Sequence, residues 1–247
     1  MKILISNDDG YNSEGIMTLS EELSKIAEII VIAPECNKSG ASSSLTLESP
    51  LRITKVDNER YFVNGTPADS VHLGLSDFLS EDPDIVVSGI NHGANLGDDV
   101  FYSGTVGAAM QGRFLELPSI AVSLAVDEGR NFRSAAKIVE LLIGKIQKNP
   151  LPSNIVLNVN VPDLPFDELN GIQVTRLGQR ERSKVPPPAK DPYGRKIYWI
   201  GPAGGNRKSD YDTDFDAIAR GMVSITPLKL DLTEHQLVED MGEWLNS

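Results

Sequence analysis

Five short apolar runs, separated by stretches with helical patterning, limit what this chain can fold into. Residues 3–6, 29–33, 84–88, 119–124 and 155–161 read as nearly continuous Val, Ile and Leu rather than as alternating apolar and polar positions. That pattern belongs to strands buried on both faces. Helices are predicted between them over 15–27, 106–115 and 135–146, and from Thr66 onwards. Thr66-Pro67-Ala68-Asp69 is a strong helix start, with Thr66 as cap, Pro67 in the first position and Asp69 reaching back in a box. Val71, Leu75 and Phe78 follow it at helical spacing. Buried strands joined through helices form a parallel sheet covered on both sides. The expected fold class is therefore α/β, a three-layer, doubly wound, mostly parallel Rossmann-like sheet.

The pattern changes after about Pro162. We divide the chain into an α/β core over 1–162 and a C-terminal extension over 163–247. In the extension, Pro186-Pro187-Pro188 and Asp191-Pro192-Tyr193-Gly194 lie in a basic stretch with Arg176, Arg180, Arg182, Lys184, Arg195 and Lys196. So many prolines exclude a helix, and the strand-like flanks 172–177 and 196–200 make it a long hairpin or arm. An acidic, irregular stretch at 210–216, a final core strand at 222–226 and a terminal helix over 233–245 complete the chain. The arm carries Tyr193, Tyr198 and Trp199 but little local core. A lone subunit would leave apolar surface and strand edges exposed, so a homodimer or homotetramer is expected.

The formal net charge is −12, which disfavours nucleic acid or an anionic membrane as partner, because both are bound through basic surfaces. A small anionic substrate is still allowed if local donors or a metal reverse the field. No apolar run is long enough to span a bilayer, and no leader-like segment follows Met1. A single cysteine, Cys36, fits a reducing compartment, so a cytoplasmic location is expected. Cys36 cannot serve a Cys-(five residues)-Arg phosphatase loop, because the sixth residue after it is Ser42.

The chemistry collects in the loops. Asn7-Asp8-Asp9-Gly10 follows the first strand and sets two carboxylates at its exit. Adjacent hard oxygens suit Mg²⁺, Mn²⁺ or Ca²⁺ rather than Zn²⁺, although the same tetrapeptide is also ordinary turn and cap chemistry. Residues 37–42 follow the second strand, and 89–99 follow the strand at 84–88. In a parallel sheet all of these loops leave the same edge, where ligands bind. Ser103-Gly104-Thr105 opens a helix, and a hydroxyl, a glycine and a helix N-terminus form an anion nest or a plain cap. No Walker loop or dinucleotide fingerprint is present. Asn7 stands where a phosphoaspartyl enzyme would carry its first Asp, which favours attack by a metal-activated water over a covalent intermediate. His72, His235, Asp98, Asp99 and Cys36 read as packed, capping or solvated side chains.

Five ordered blocks carry a family resemblance: Ser6-Asn7-Asp8-Asp9-Gly10, residues 37–42, residues 65–69, residues 87–99 and residues 102–106, with Gly221-Met222-Val223-Ser224-Ile225-Thr226-Pro227 near the end. Over essentially its whole length the chain resembles the survival protein SurE family of 5′-nucleotidases. The resemblance implies a metal-dependent phosphomonoesterase acting on nucleoside 5′-monophosphates, and also on 3′-nucleotides and short polyphosphate. It maps the metal ligands onto Asp8, Asp9, Ser39 and Asn91, one divalent ion per subunit, Mg²⁺ or Mn²⁺, with Ca²⁺ as a crystallisation substitute. It also implies dimers or tetramers with exchanged C-terminal elements. Asn95, Ser103, Gly104 and Thr105 are then expected to donate hydrogen bonds to the phosphoryl oxygens, and Asp8 or Asp9 to take the water's proton. Rival readings are a nucleotide-binding sensor without turnover and a dinucleotide-dependent oxidoreductase.

Overall fold

The computed structural model describes residues 1–125, 130–183, 186–201 and 203–247; Lys184 of the basic stretch lies outside them. The chain opens with β1 (Lys2–Ser6), α1 (Glu14–Leu23) and β2 (Glu28–Pro34), followed by β3 (Ile53–Lys55) and β4 (Arg60–Val63), two short strands absent from the expected set. The alternating part continues with α2 (Pro67–Leu73), β5 (Ile85–His92), α3 (Gly104–Gln111), β6 (Ser119–Ala125), α4 (Phe132–Lys148) and β7 (Ile155–Pro162). The extension holds β8 (Ile172–Val174), β9 (Ala189–Lys190), β10 (Lys196–Ile197), α5 (Asp214–Ala219), β11 (Val223–Lys229) and α6 (His235–Asn246).

Nine strands form one sheet in the order β3-β4-β2-β1-β5-β6-β7-β11-β8. From β4 through β7 every neighbour is parallel. β3 is antiparallel to β4 at one edge, and β11 is antiparallel to β7 near the other. Successive strand residues serve opposite layers, which is why the runs are apolar throughout. Ile3, Ile5, Ile85, Val87, Ile120 and Val122 pack with α1 and α4, whereas Leu4, Ile32 and Val86 pack with α2 and α3. The expected three-layer α/β architecture is present.

Several boundaries differ from expectation. The first helix stops at Leu23 because residues 24–27 turn directly into β2, with Ala27 N–H bonding Leu23 O. The strand at 84–88 runs on to His92 through a bulge, with register lost after Ser88 and regained at Asn91 opposite Ser123. Gly89 permits it: its φ is 134°, and a Cβ there would lie 2.2 Å from the Val122 carbonyl oxygen. The flanks 172–177 and 196–200 do not pair with each other. β8 joins the main sheet beside β11, while β10 pairs with β9 across a turn in which Asp191 accepts the N–H groups of Tyr193 and Arg195. The arm is nevertheless a hairpin, its base closed by Glu181 N–H to Gly205 O and Arg207 N–H to Gln179 O. Within 210–216, Thr213 and Asp216 form a capping box that starts α5, so this stretch is helical from Asp214.

Candidate active site

The chain leaves β1 towards β2 and β4 on one side of the sheet and returns to β5, β6 and β7 on the other. The carboxyl ends of β1 and β5 are thus the topological switch point, where open α/β sheets bind ligands. Asn7-Asp8-Asp9-Gly10 emerges there, and the turn itself belongs to Asn7. Its amide accepts from Gly10 N–H at 3.1 Å and donates to Gly10 O at 3.0 Å and Ser13 Oγ at 2.7 Å. Gly10, at φ 108°, completes the bend. Neither aspartate side chain is needed to form it.

Asp8 is 4 % exposed. Its Oδ1 accepts the Thr105 hydroxyl at 2.5 Å. A Cβ on Gly104 would sit 2.8 Å from Asp8 Cβ, so only glycine lets the N-terminus of α3 come this close. Ser103, not Thr105, caps that helix, its Oγ accepting from Val106 N–H at 3.0 Å. The Lys38 N–H donates to Asp8 O at 2.7 Å and draws the 37–39 loop to the site. There Asn37 Oδ1 accepts from both the backbone N–H and the hydroxyl of Ser39, at 2.8 and 2.7 Å. Asp9 Oδ2 accepts the His92 N–H at 3.0 Å, tying it to the end of β5. One residue earlier, Asn91 donates through Nδ2 to Gly93 O at 2.7 Å, which commits the amide nitrogen and not the oxygen. Asp9, Asn37 and His92 line a cleft of about 350 Å³ with Ser13, Gly15 and Phe132.

Burial raises the Asp8 carboxyl above its usual range; the Thr105 hydrogen bond opposes this and the Asp9 charge adds to it. Burial also raises Asp9, opposed by the His92 N–H. Neither aspartate forms a salt bridge among the described residues. Burial outweighs the His92 charge at Asp9, and two adjacent, partly desolvated carboxylates without a salt-bridged cation call for protons or a metal ion. No group of three or more His, Cys, Asp or Glu side chains is placed to hold a metal among the described residues. A metal here would therefore take its charge compensation from Asp8 and Asp9 and fill its shell with neutral oxygens such as Ser39 and Asn91. That donor set fits a hard divalent cation.

Asn95 is buried on the far side of Gly93. Its Nδ2 donates to Ser123 Oγ at 2.8 Å, and its backbone is gripped by Asn158 and Asn160 of β7. These three supporting residues were not among the expected site residues, although two asparagines inside the Val/Ile run 155–161 are a readable anomaly. Asp98 and Asp99 turn away from the cleft: Asp98 accepts the Arg180 N–H, and Asp99 pairs with the Arg180 guanidinium. His235 pairs with Asp231, His72 is exposed on α2, and Cys36 is exposed.

The family model described as Survival protein SurE matches residues 3–184. Relatives named 5′-nucleotidase SurE from Nitrosococcus oceani and Legionella pneumophila are each 54% identical, covering 99–100% of this chain and 98% of theirs. The crystal structure of the SurE protein from Aquifex aeolicus superposes with a TM-score of 0.88 at 42% identity, covering all of both chains. A whole-chain likeness of this size, with the five sequence blocks gathered around one sheet edge, makes the chain a member of the SurE family.

Proposed function

We propose that this chain is a 5′-nucleotidase that hydrolyses nucleoside 5′-monophosphates with a divalent cation held by Asp8, Asp9, Ser39 and Asn91. The observation that carries the reading is the buried Asp8 beside Asp9, set against the N-terminus of α3 with no cationic side chain paired to either. A protein that only bound an anion would have no use for two carboxylates at that point. The relatives' shared name, 5′-nucleotidase, supports the same reading. We extend it to 3′-nucleotides and short polyphosphate, which present the same terminal phosphate.

When bound, the cation would draw in a phosphate oxygen and acidify the attacking water. The chain's own groups do the rest. Backbone N–H groups of the first turn of α3 have no intrahelical partner; that of Thr105 already serves the Asp8 carboxylate, which leaves that of Gly104 for an incoming anion. Ser103 accepts from Val106 N–H yet keeps its own proton to donate. Asn95 commits one amide hydrogen to Ser123 and retains the other. The Thr105 hydroxyl has a single proton and gives it to Asp8, so its side chain serves the phosphate by orienting Asp8. Asp9 lines the open cleft and is the better placed carboxylate to accept the water's proton.

Self-association completes the proposal. No residue of α6 is buried, and Leu237, Val238, Met241, Trp244 and Leu245 lie exposed on it, as do Tyr193, Tyr198 and Trp199 of the arm. A homodimer or homotetramer would cover both. The test of the activity is phosphate release from nucleoside 5′-monophosphates with and without chelator. Release that requires the metal supports the enzyme; tight nucleotide binding with no turnover would replace it with a sensor.

A further inference from the structure

The face of the sheet that looks towards α3 changes character where residues 95–97 cross it. Ala121 on β6 and Val156 on β7 pack apolar against α3. Two positions further along each strand, on the same face, stand Ser123 and Asn158, and then Asn160. All three are fully buried. They converge on one residue. Asn160 Oδ1 accepts the Asn95 N–H at 2.8 Å, while Asn160 Nδ2 and Asn158 Nδ2 donate to the Asn95 carbonyl at 3.1 and 2.9 Å. Ser123 Oγ accepts from the Asn95 side chain at 2.8 Å. Backbone donor, backbone acceptor and side chain are all fixed from below.

Core packing does not require such a set. Val or Leu at 158 and 160 would continue the apolar run of β7, and Asn158 Oδ1 is buried with no hydrogen-bond partner among the described residues. A buried amide among apolar side chains carries a desolvation cost that Val or Leu would not, so packing alone does not account for Asn158. We infer that Asn158 and Asn160 are positioning residues that set the Asn95 amide for the transferring phosphoryl group, through the two-point grip on its backbone. The inference rests on the proposed role of Asn95 as a phosphate donor. Donors act on a transition state only when held in place beforehand, and a segment bounded by Gly93 and Gly97 would otherwise be free to shift.

The experiment compares Asn158→Leu, Asn160→Leu and Asn95→Ala, alone and combined, by kcat and KM for a nucleoside 5′-monophosphate and by melting temperature. Asn158→Leu should lower kcat by about 10- to 100-fold with KM little changed, as expected for an interaction expressed in the transition state. Its melting temperature should change little, because apolar packing replaces the amide while Asn160 still donates to the Asn95 carbonyl. In the Asn95→Ala background the same substitution should cost almost nothing further, since the group it positions is gone. If Asn160→Leu fails to fold, Asn158→Leu alone decides. Wild-type kcat in the Asn158 and Asn160 variants beside an impaired Asn95→Ala would overturn the positioning role and leave Asn95 as donor. A loss that tracks melting temperature, or that adds fully to Asn95→Ala, would make the pair ordinary core support. Normal turnover in Asn95→Ala would remove both the donor and the residues said to aim it.

Discussion

Thr105→Val isolates one atom at the centre of the site. Valine has nearly the shape of threonine and removes only the hydroxyl that donates to Asp8 Oδ1 at 2.5 Å. The donor and acceptor are both buried, so water cannot readily take the hydroxyl's place. A hydrogen bond to a charged group contributes about 1.5–3 kcal/mol, which at 25 °C corresponds to roughly a 10- to 150-fold loss in kcat/KM if the bond orients the working carboxylate. The direction of the pH effect follows from the same geometry. Burial raises the Asp8 carboxyl and the Thr105 bond holds it down, so removing the bond favours protonated Asp8 and moves the acid limb of the kcat/KM profile to higher pH. Ser103 caps α3 independently, and the helix should remain intact. Thr105→Ser, which keeps the hydroxyl, should keep most of the activity and the wild-type acid limb. Wild-type kcat/KM with an unmoved acid limb in Thr105→Val would show that this hydroxyl does not orient Asp8.

Asp8→Asn should abolish turnover while raising the melting temperature of the chelated protein. Relief of a buried charge beside Asp9 of about 1 kcal/mol would appear as a rise of about 2–4 °C in a chain of this size, measured by calorimetry. Asp69 behaves in the opposite sense. Burial works to raise its carboxyl, but hydrogen bonds from Thr46 and Thr66 outweigh it and hold the group below its ordinary range. Its contribution is therefore complete above the unfolded value of about 3.9 and is lost as pH falls through the lower folded value. Asp69→Ala should cost ~2–3 kcal/mol at neutral pH, through the lost capping box and stranded N–H groups, and the gap from wild type should narrow in acid unfolding curves. Removing residues 235–247 should shift sedimentation to smaller species and leave the Asp8 and Asp9 site formed; an unchanged sedimentation coefficient would require another cover for α6.

The strands β1, β2, β5, β6 and β7 were legible because a strand buried on both faces must be apolar at every position, and no surface helix shares that pattern. β3 and β4 were not, being three and four residues long, half exposed and carrying Thr, Lys and Arg. Gly89 reads in sequence as a strand ender; its actual service, a close approach to the Val122 carbonyl, depends on a neighbour in another strand. The same limit governs the site. Which loops carry its residues could be read from strand exits alone, and Thr66 and Asp69 form the expected box. That the Thr105 hydroxyl points at a carboxylate 97 residues earlier, or that Asn158 and Asn160 lie beneath Asn95, follows from register between strands and not from any local pattern. Asp98 and Asp99 show the converse case. Their sequence neighbourhood is that of the site, yet Arg180 of the arm claims both.

The carboxylate pair Asp8 and Asp9 is the centre of the proposed activity. Calorimetric titration of Mn²⁺ into chelated protein, paired with phosphate release from a nucleoside 5′-monophosphate on the same samples, tests it most directly. We expect one ion per subunit in the wild type, and loss of both binding and release in Asp8→Asn and in Asp9→Asn. Undiminished release by the metal-free wild type, or wild-type Mn²⁺ binding in both variants, would contradict the assignment of Asp8 and Asp9 as the metal-holding centre.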